Sequence, residues 1–146
     1  MCKKCGLIGN NIIPDYLDKY LYEYIIKLIL GDNVKIFLIT GRGAYSQLAI
    51  SILLKLQEEF PKIEIWLVFS FDANLDEISI RSLKKIFSKV VIPERYFENN
   101  CLLNSYNFMV KHCDLILFFD NQVFSPESIA YELAKENSCK IRSIYS

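Results

Sequence analysis

Short runs of β-branched and apolar residues recur from one end of the chain to the other, with a longer stretch of helical periodicity between successive runs. The runs at 4–8, 34–39, 63–69, 89–92, 114–119 and 140–145 read as strands. Several are apolar at consecutive positions, the pattern of a strand covered on both faces rather than one with a wet side. Between them, Leu17, Leu21, Tyr24, Ile25 and Leu28 form one helical stripe, with Pro14 near its start and Gly31 placed as a C′ stop. Ala49, Ile52, Leu53, Leu56 and Phe60 form a second, ended by Pro61, and weaker patterns cover 75–87 and 101–112. A last helix is expected at Ser125-Pro126, serine as N-cap and proline in the first turn.

Strand and helix alternating in this way predict a three-layer, Rossmann-like α/β fold. Its sheet should be mostly parallel, with five to six strands flanked by helices. At 146 residues the chain fits one domain, 1–146, long enough to bury roughly two thirds of its unfolded surface. No repeat, low-complexity segment or linker interrupts it. In such a sheet, ligands sit beyond the carboxyl ends of the strands, where the strand order reverses. With the first strand central, that crevice collects Gly9-Asn10-Asn11, the loop 41–46, Asp120 with Asn121, and Ser125.

The loop is the most pointed feature. Gly41-Arg42-Gly43 closes the second strand, and a helix follows at once. Glycines there let the backbone approach a phosphate, the helix start offers free amides, and Arg42 could add a bidentate contact. The same dipeptide spacing is also an inexpensive way to turn a strand into a helix. The dinucleotide fingerprint would want a third glycine where Ser46 stands, and would follow the first strand rather than the second. From spacing alone, both readings stay open.

Seventeen Lys and Arg balance seventeen Asp and Glu, giving a net charge of +0. That balance offers no general pull toward nucleic acid or an anionic membrane, so neither is expected as a partner. No apolar stretch reaches the ~18 residues of a membrane span. The start of the chain is not that of a signal peptide, and five scattered cysteines suit reduced thiols, so a cytoplasmic location is expected. Cys2-x-x-Cys5 lacks a second half for a tetrahedral site, and no metal or cofactor is expected. His112, the only histidine, falls in a helix's last turn, where it suits the helix dipole better than a pairing with adjacent Cys113. Tyr16, Tyr20, Tyr22 and Tyr24 crowd the first helix over more than one face. That crowding fits either a well-buried helix or, preferred, a homo-oligomer interface.

The run "VKIFLITGRGAYSQLAISILLKLQEEFPKIEIWLVFSF" resembles the middle of small bacterial proteins of the SLOG superfamily, Rossmann-like domains related to the LOG phosphoribohydrolases. The similarity extends outward through "CGLIGNN", "SYNFMVKHCDLILFF" and "SPESIAYELAKENSCKIRSI" to nearly the whole chain. The departures fall on polar positions. Asn10-Asn11 replace His-Arg, Tyr45-Ser46 replace Phe-Asp, Ser105-Tyr106 replace Arg-Asn, and Ser125-Pro126 replace Gly-Gly. Ala130 replaces Thr, while Glu132 and Ala134 match.

The resemblance implies a pocket for a nucleotide or nucleotide-derived small molecule, held by Gly9, Asn10, Gly41, Arg42, Gly43, Tyr45, Ser46, Asp120 and Ser125. It also makes Glu132 a pocket carboxylate, where the helix face alone reads as solvated. Asp120 could hydrogen-bond a ribose hydroxyl or merely cap a turn. Pro126 removes an amide donor and Glu127 adds negative charge, so a phosphate cradle at the last helix is doubtful. A non-catalytic binding domain is the expectation. The alternatives are cleavage of an N-glycosidic bond by Glu132 or Asp120, as in phosphoribohydrolases or deoxyribosyltransferases, and a degenerate scaffold acting through protein association.

Overall fold

Each apolar run becomes a strand of one sheet. The structure, a computed structural model, describes residues 3–9, 13–41, 43–69, 77–94, 97, 100–119 and 126–144. Along the chain lie β1 (Lys3–Gly9), α1 (Leu17–Leu30), β2 (Val34–Ile39), α2 (Ala44–Glu59), β3 (Glu64–Val68) and α3 (Glu77–Lys84). Then come β4 (Lys89–Val91), α4 (Cys101–His112), β5 (Leu115–Phe119), α5 (Pro126–Glu136) and β6 (Lys140–Ser143). The sheet runs β4-β3-β2-β1-β5-β6, and every neighbouring pair is parallel. This is the Rossmann-like α/β arrangement, with β1 central.

Side-chain alternation along the strands splits the core in two. Cys5, Leu7, Phe37, Ile39, Ile65, Leu67, Leu115 and Leu117 face α1 and α2. Ile8, Ile36, Leu38, Val68, Ile116 and Phe118 face α4 and α5. Both faces are apolar because both are covered, which is why the strands read as continuous hydrophobic runs. Leu17, Leu21, Ile25 and Leu28 are the buried stripe of α1. Each such side chain contributes roughly 1.5–3 kcal/mol by leaving water.

Some boundaries differ from the sequence reading. Gly31 follows α1 in the right-handed region, at φ −89° and ψ −46°. The left-handed residue comes two positions later, at Asn33 (φ 58°), a residue type that tolerates it. The helix expected over 75–87 is described from Glu77 to Lys84, and residues 70–76 lie outside the described set. On α1, Tyr16 and Tyr20 are exposed and pack edge to face on one another at 5.6 Å. Among the described residues, no helix is long and apolar enough to cross a membrane.

One ion pair ties the last strand to the α1–β2 turn. Arg142 donates Nη1 to Asp32 Oδ2 at 2.8 Å and Nη2 to Oδ1 at 3.1 Å. The Arg142 guanidinium holds the Asp32 carboxyl below its ordinary value. A depressed carboxylate adds stability above its unfolded pKa and loses it as pH falls through the folded one. The stability gap between the wild type and Arg142→Ala in urea titrations should therefore be largest near neutrality and close below about pH 4. Because the pair is partly exposed, the gap should be small and shrink with salt. A gap that does not narrow at all as pH falls from neutrality into the acid range would assign the effect to packing by the arginine stem instead.

Candidate functional site

The strand order reverses at β1, whose neighbours β2 and β5 lead to opposite edges of the sheet. Gly9 and Phe119 are register partners at the carboxyl ends of β1 and β5. The turn from β2 into α2 opens beside them.

That turn is built by two left-handed glycines. Gly41 has φ +74°, and a Cβ there would lie 2.7 Å from Leu67 Cδ1. Gly43 occupies the N-cap of α2 at φ +91° and ψ 169°, with no side-chain cap. An L side chain is disfavoured at both. Gln47 clamps the turn from within the helix: its Nε2 donates to the Gly41 carbonyl at 3.0 Å and its amide to the Gly43 carbonyl at 3.1 Å. Ser46 is buried, and its hydroxyl lies 3.1 Å from Thr40 Oγ1. Among the described residues, none accepts from the amides of Ala44, Tyr45 or Ser46. The first turn of α2 therefore presents the donors and positive dipole end that suit an anion.

Tyr45 does something other than meet a ligand through its side chain. The ring is 1% exposed and stacks on Phe119 with centroids 6.2 Å apart and planes 9° from parallel. Its hydroxyl makes a long contact, 3.5 Å, with the Leu117 carbonyl. Burial pushes the phenol far above its ordinary pKa. Gly9 gives this ring its room, since a Cβ on Gly9 would come within 2.4 to 2.7 Å of three ring atoms. Both residues border the crevice, yet their side of it is packing, and Tyr45 has only its amide to offer.

Of the other sequence candidates, Asn10, Arg42, Asp120 and Ser125 lie outside the described residues. Glu132 is on the outer face of α5, its side chain 68% exposed and 3.9 Å from Lys135 Nζ. It does not turn toward the crevice. The buried carboxylate of that helix is Glu127, in the first turn and on the same stripe as Ala130 and Ala134. Spacing could have found it, since three and seven residues separate it from those two alanines. Ser105, in the position of the resembled Arg-Asn pair, is buried and donates to the Phe69 carbonyl at 2.9 Å, with the Cys101 carbonyl 3.1 Å away. Its hydroxyl serves the scaffold.

Three of the described thiols, Cys5, Cys113 and Cys139, are the reverse of activated. Burial pushes Cys5 and Cys113 far above their ordinary pKa and raises Cys139 as well, which keeps them protonated and poorly nucleophilic. Among the described residues, no three His, Cys, Asp or Glu side chains are grouped to hold a metal ion. His112 stacks on Phe108 at 4.2 Å.

Residues 10–145 match the sequence model of the YspA SLOG family. No curated protein matches the chain. Among solved structures, the chain is similar to DNA processing protein A (DprA) from Streptococcus pneumoniae. The TM-score is 0.72 at 13% identity, covering 99% of this chain and 51% of that one. It is also similar to DNA processing protein A from Helicobacter pylori, with a TM-score of 0.68 at 12% identity, covering 99% and 66%. The chain thus spans between half and two thirds of the length of these neighbours. At such identities the likeness is one of fold.

The Helicobacter pylori structure is described for its single-stranded DNA binding mode, and this overturns the exclusion of nucleic acid drawn from net charge. A summed charge says nothing about local arrangement. In this chain, Lys4 and Lys89 both stand over the Trp66 ring, 4.8 and 4.6 Å from its centre, in a molecule whose total is zero.

Proposed function

The chain belongs to the YspA SLOG family, and from that premise we propose that it binds a nucleotide at the carboxyl edge of its sheet, gripping phosphate with the first turn of α2. The observation that carries the reading is that no described residue accepts from the amides of Ala44, Tyr45 and Ser46, at a turn shaped by left-handed Gly41 and Gly43 and the clamp of Gln47. Arg42, between the two glycines, supplies the cationic contact. Asn10, Asp120 and Ser125, from the flanking loops, meet the sugar or base. Phosphate is assigned to α2 rather than α5 because Glu127 brings a carboxylate to the first turn of α5 and Pro126 removes a donor there.

The reading is of binding without cleavage by Glu132, whose carboxylate is solvated and near Lys135. A nucleotide can arrive free or as a unit of a single strand, and the same phosphate chemistry serves both. Calorimetric titration of the chain with the four nucleoside monophosphates, the matching nucleosides and a single-stranded oligonucleotide separates the sources. Free nucleotide as ligand predicts saturable monophosphate binding with a shallow salt dependence. A strand predicts tight oligonucleotide binding whose logarithm falls steeply with the logarithm of salt.

In either case Arg42→Ala should weaken the phosphate-bearing ligand about tenfold, the effect of one lost charged hydrogen bond, and leave nucleosides unchanged. Equal weakening of nucleosides would overturn the phosphate assignment. No heat with any of the three classes would leave the scaffold reading standing.

A further inference from the structure

The outward side of α1 carries a regular stripe that the fold leaves uncovered. Tyr16, Tyr20, Glu23, Lys27 and Leu30 are all exposed, and they follow one another by alternating steps of four and three residues. That spacing keeps to one side of a helix and is the seam along which two helices pair. Tyr16, just ahead of the first helical residue, already has right-handed angles and so continues the line. Leu17, Leu21, Ile25 and Leu28 hold the far side of the helix against the sheet. α2 lies along another flank, where Asp18 and Tyr22 share a groove with Leu48 and Ser51. The stripe belongs to neither contact.

Its ends are apolar and its middle is charged. Tyr16 and Tyr20 are 42% and 45% exposed, and their edge-to-face contact at 5.6 Å fixes both rings in place. Leu30, at the other end, is 68% exposed, more than any other large apolar side chain among the described residues. One exposed leucine needs no explanation, whereas apolar groups at both ends of one line, with an acid and a base between, form a pattern. Those charges are not spent on each other. Among the described residues Glu23 is in no salt bridge, and Lys27 Nζ lies over the Tyr24 ring, 5.7 Å from its centre.

We propose that the chain forms a two-fold dimer in which α1 packs antiparallel on α1 of a second copy. The order of the stripe selects that occupant. With one helix reversed, Tyr20 meets Leu30 of the second copy and Glu23 meets Lys27 of the second copy, and the symmetry makes each contact twice. A parallel pair would instead set Glu23 on Glu23 and Lys27 on Lys27, like charge on like. A surface complementary to its own reversed image is what a two-fold interface requires, and no other partner would require it. The charges fix direction and register, and the apolar ends close over them. One helix per copy is a small interface, so association in the micromolar range is expected. α1 starts at the carboxyl edge of the sheet and ends at the amino edge. The antiparallel pair therefore sets the two crevices at opposite ends of the dimer, and the inference does not rest on the phosphate turn.

The test is sedimentation equilibrium of the full chain, which should show a monomer–dimer equilibrium. Glu23→Lys and Lys27→Glu each place like charges together at both charged layers, and each should raise the dissociation constant at least tenfold with the circular dichroism of the fold unchanged. An equimolar mixture of the two variants should dimerise again, because every charged layer then joins a lysine to a glutamate. Should either variant fail to fold, Leu30→Ser should weaken the dimer comparably from the apolar end. Arg42→Ala should dimerise as the wild type does. A wild-type chain that stays monomeric up to about 1 mM would overturn the proposal. So would a dimer indifferent to the α1 substitutions, a mixture that fails to re-associate, or a dimer lost in Arg42→Ala.

Discussion

Gly9→Ala is expected to destabilise the chain by about 3 kcal/mol, the upper part of the range for forcing atoms into a packed core. The added methyl would stand 2.4 Å from Tyr45 Cγ, 2.5 Å from Cδ2 and 2.7 Å from Cδ1. These atoms are at the root and sides of a ring, not the end of a flexible chain. The ring cannot retreat, because it is 1% exposed and stacked on Phe119. For a chain of this length the loss amounts to a thermal midpoint lower by about 10 °C.

Tyr45→Leu alone should also destabilise, by loss of ring contacts, but in the Gly9→Ala background it removes the clash. The double variant should accordingly be more stable than the sum of the two single changes predicts, by at least about 1 kcal/mol. Strict additivity in a denaturant cycle would mean that the Gly9–Tyr45 contact is not what the glycine is for. The same contact fixes where α2 begins. Loosening it should also blur the alignment of the Ala44, Tyr45 and Ser46 amides and so weaken the proposed phosphate binding.

Those two residues show where sequence reading succeeds and where it stops. Gly41 and Gly43 could be placed in the turn because positive φ leaves few alternatives to glycine, and both angles are indeed positive. The α1 stripe was legible for a similar reason, since periodicity is a property of the local chain. Gly9 was legible only as a glycine at a strand end. Whether it makes room for a ligand or for a ring depends on a tyrosine thirty-six positions later, and no local pattern carries that. Tyr45 was assigned to the pocket because it adjoins the glycine turn, yet helix geometry sends its side chain to the core while its amide stays at the turn. Glu132 matched the resembled motif in spacing, but burial follows the stripe of Glu127, Ala130 and Ala134, which leaves Glu132 on the wet side. Counting charges failed for nucleic acid because a sum discards position. The amides of α4 were invisible, since Asn104 and Asn107 sit on the inner face of the helix where a hydrophobic pattern expects apolar residues.

Asn104→Ala is the second large effect expected, about 2 kcal/mol, and it separates a local strut from general packing. Asn104 is 5% exposed and binds both backbone groups of Phe97, with the amide at 2.6 Å and the carbonyl at 3.0 Å. Truncation removes two hydrogen bonds of about 1 kcal/mol each, and any Phe97 group that stays buried without a partner raises the loss. Relaxation works the other way: once released, Phe97 can swing toward water and recover its bonds there.

The two responses differ in what hydrogen exchange reads. If Asn104 is a strut, the Phe97 amide should lose protection beyond the global loss, while the amides of β1 and β5 fall only by the global amount. If the side chain merely fills space, all of them should fall together. Asn104→Asp adds a finer test, because it keeps an acceptor for the Phe97 amide but turns a carboxylate toward the Phe97 carbonyl. Its cost at neutral pH should be at least that of Ala, and should ease as acid protonates the carboxyl and restores a donor. Phe97 packs against the same core cluster as Val91 and Phe108, so release of this strut should also loosen the rim of that cluster, and the exchange of nearby α4 amides should rise with that of Phe97.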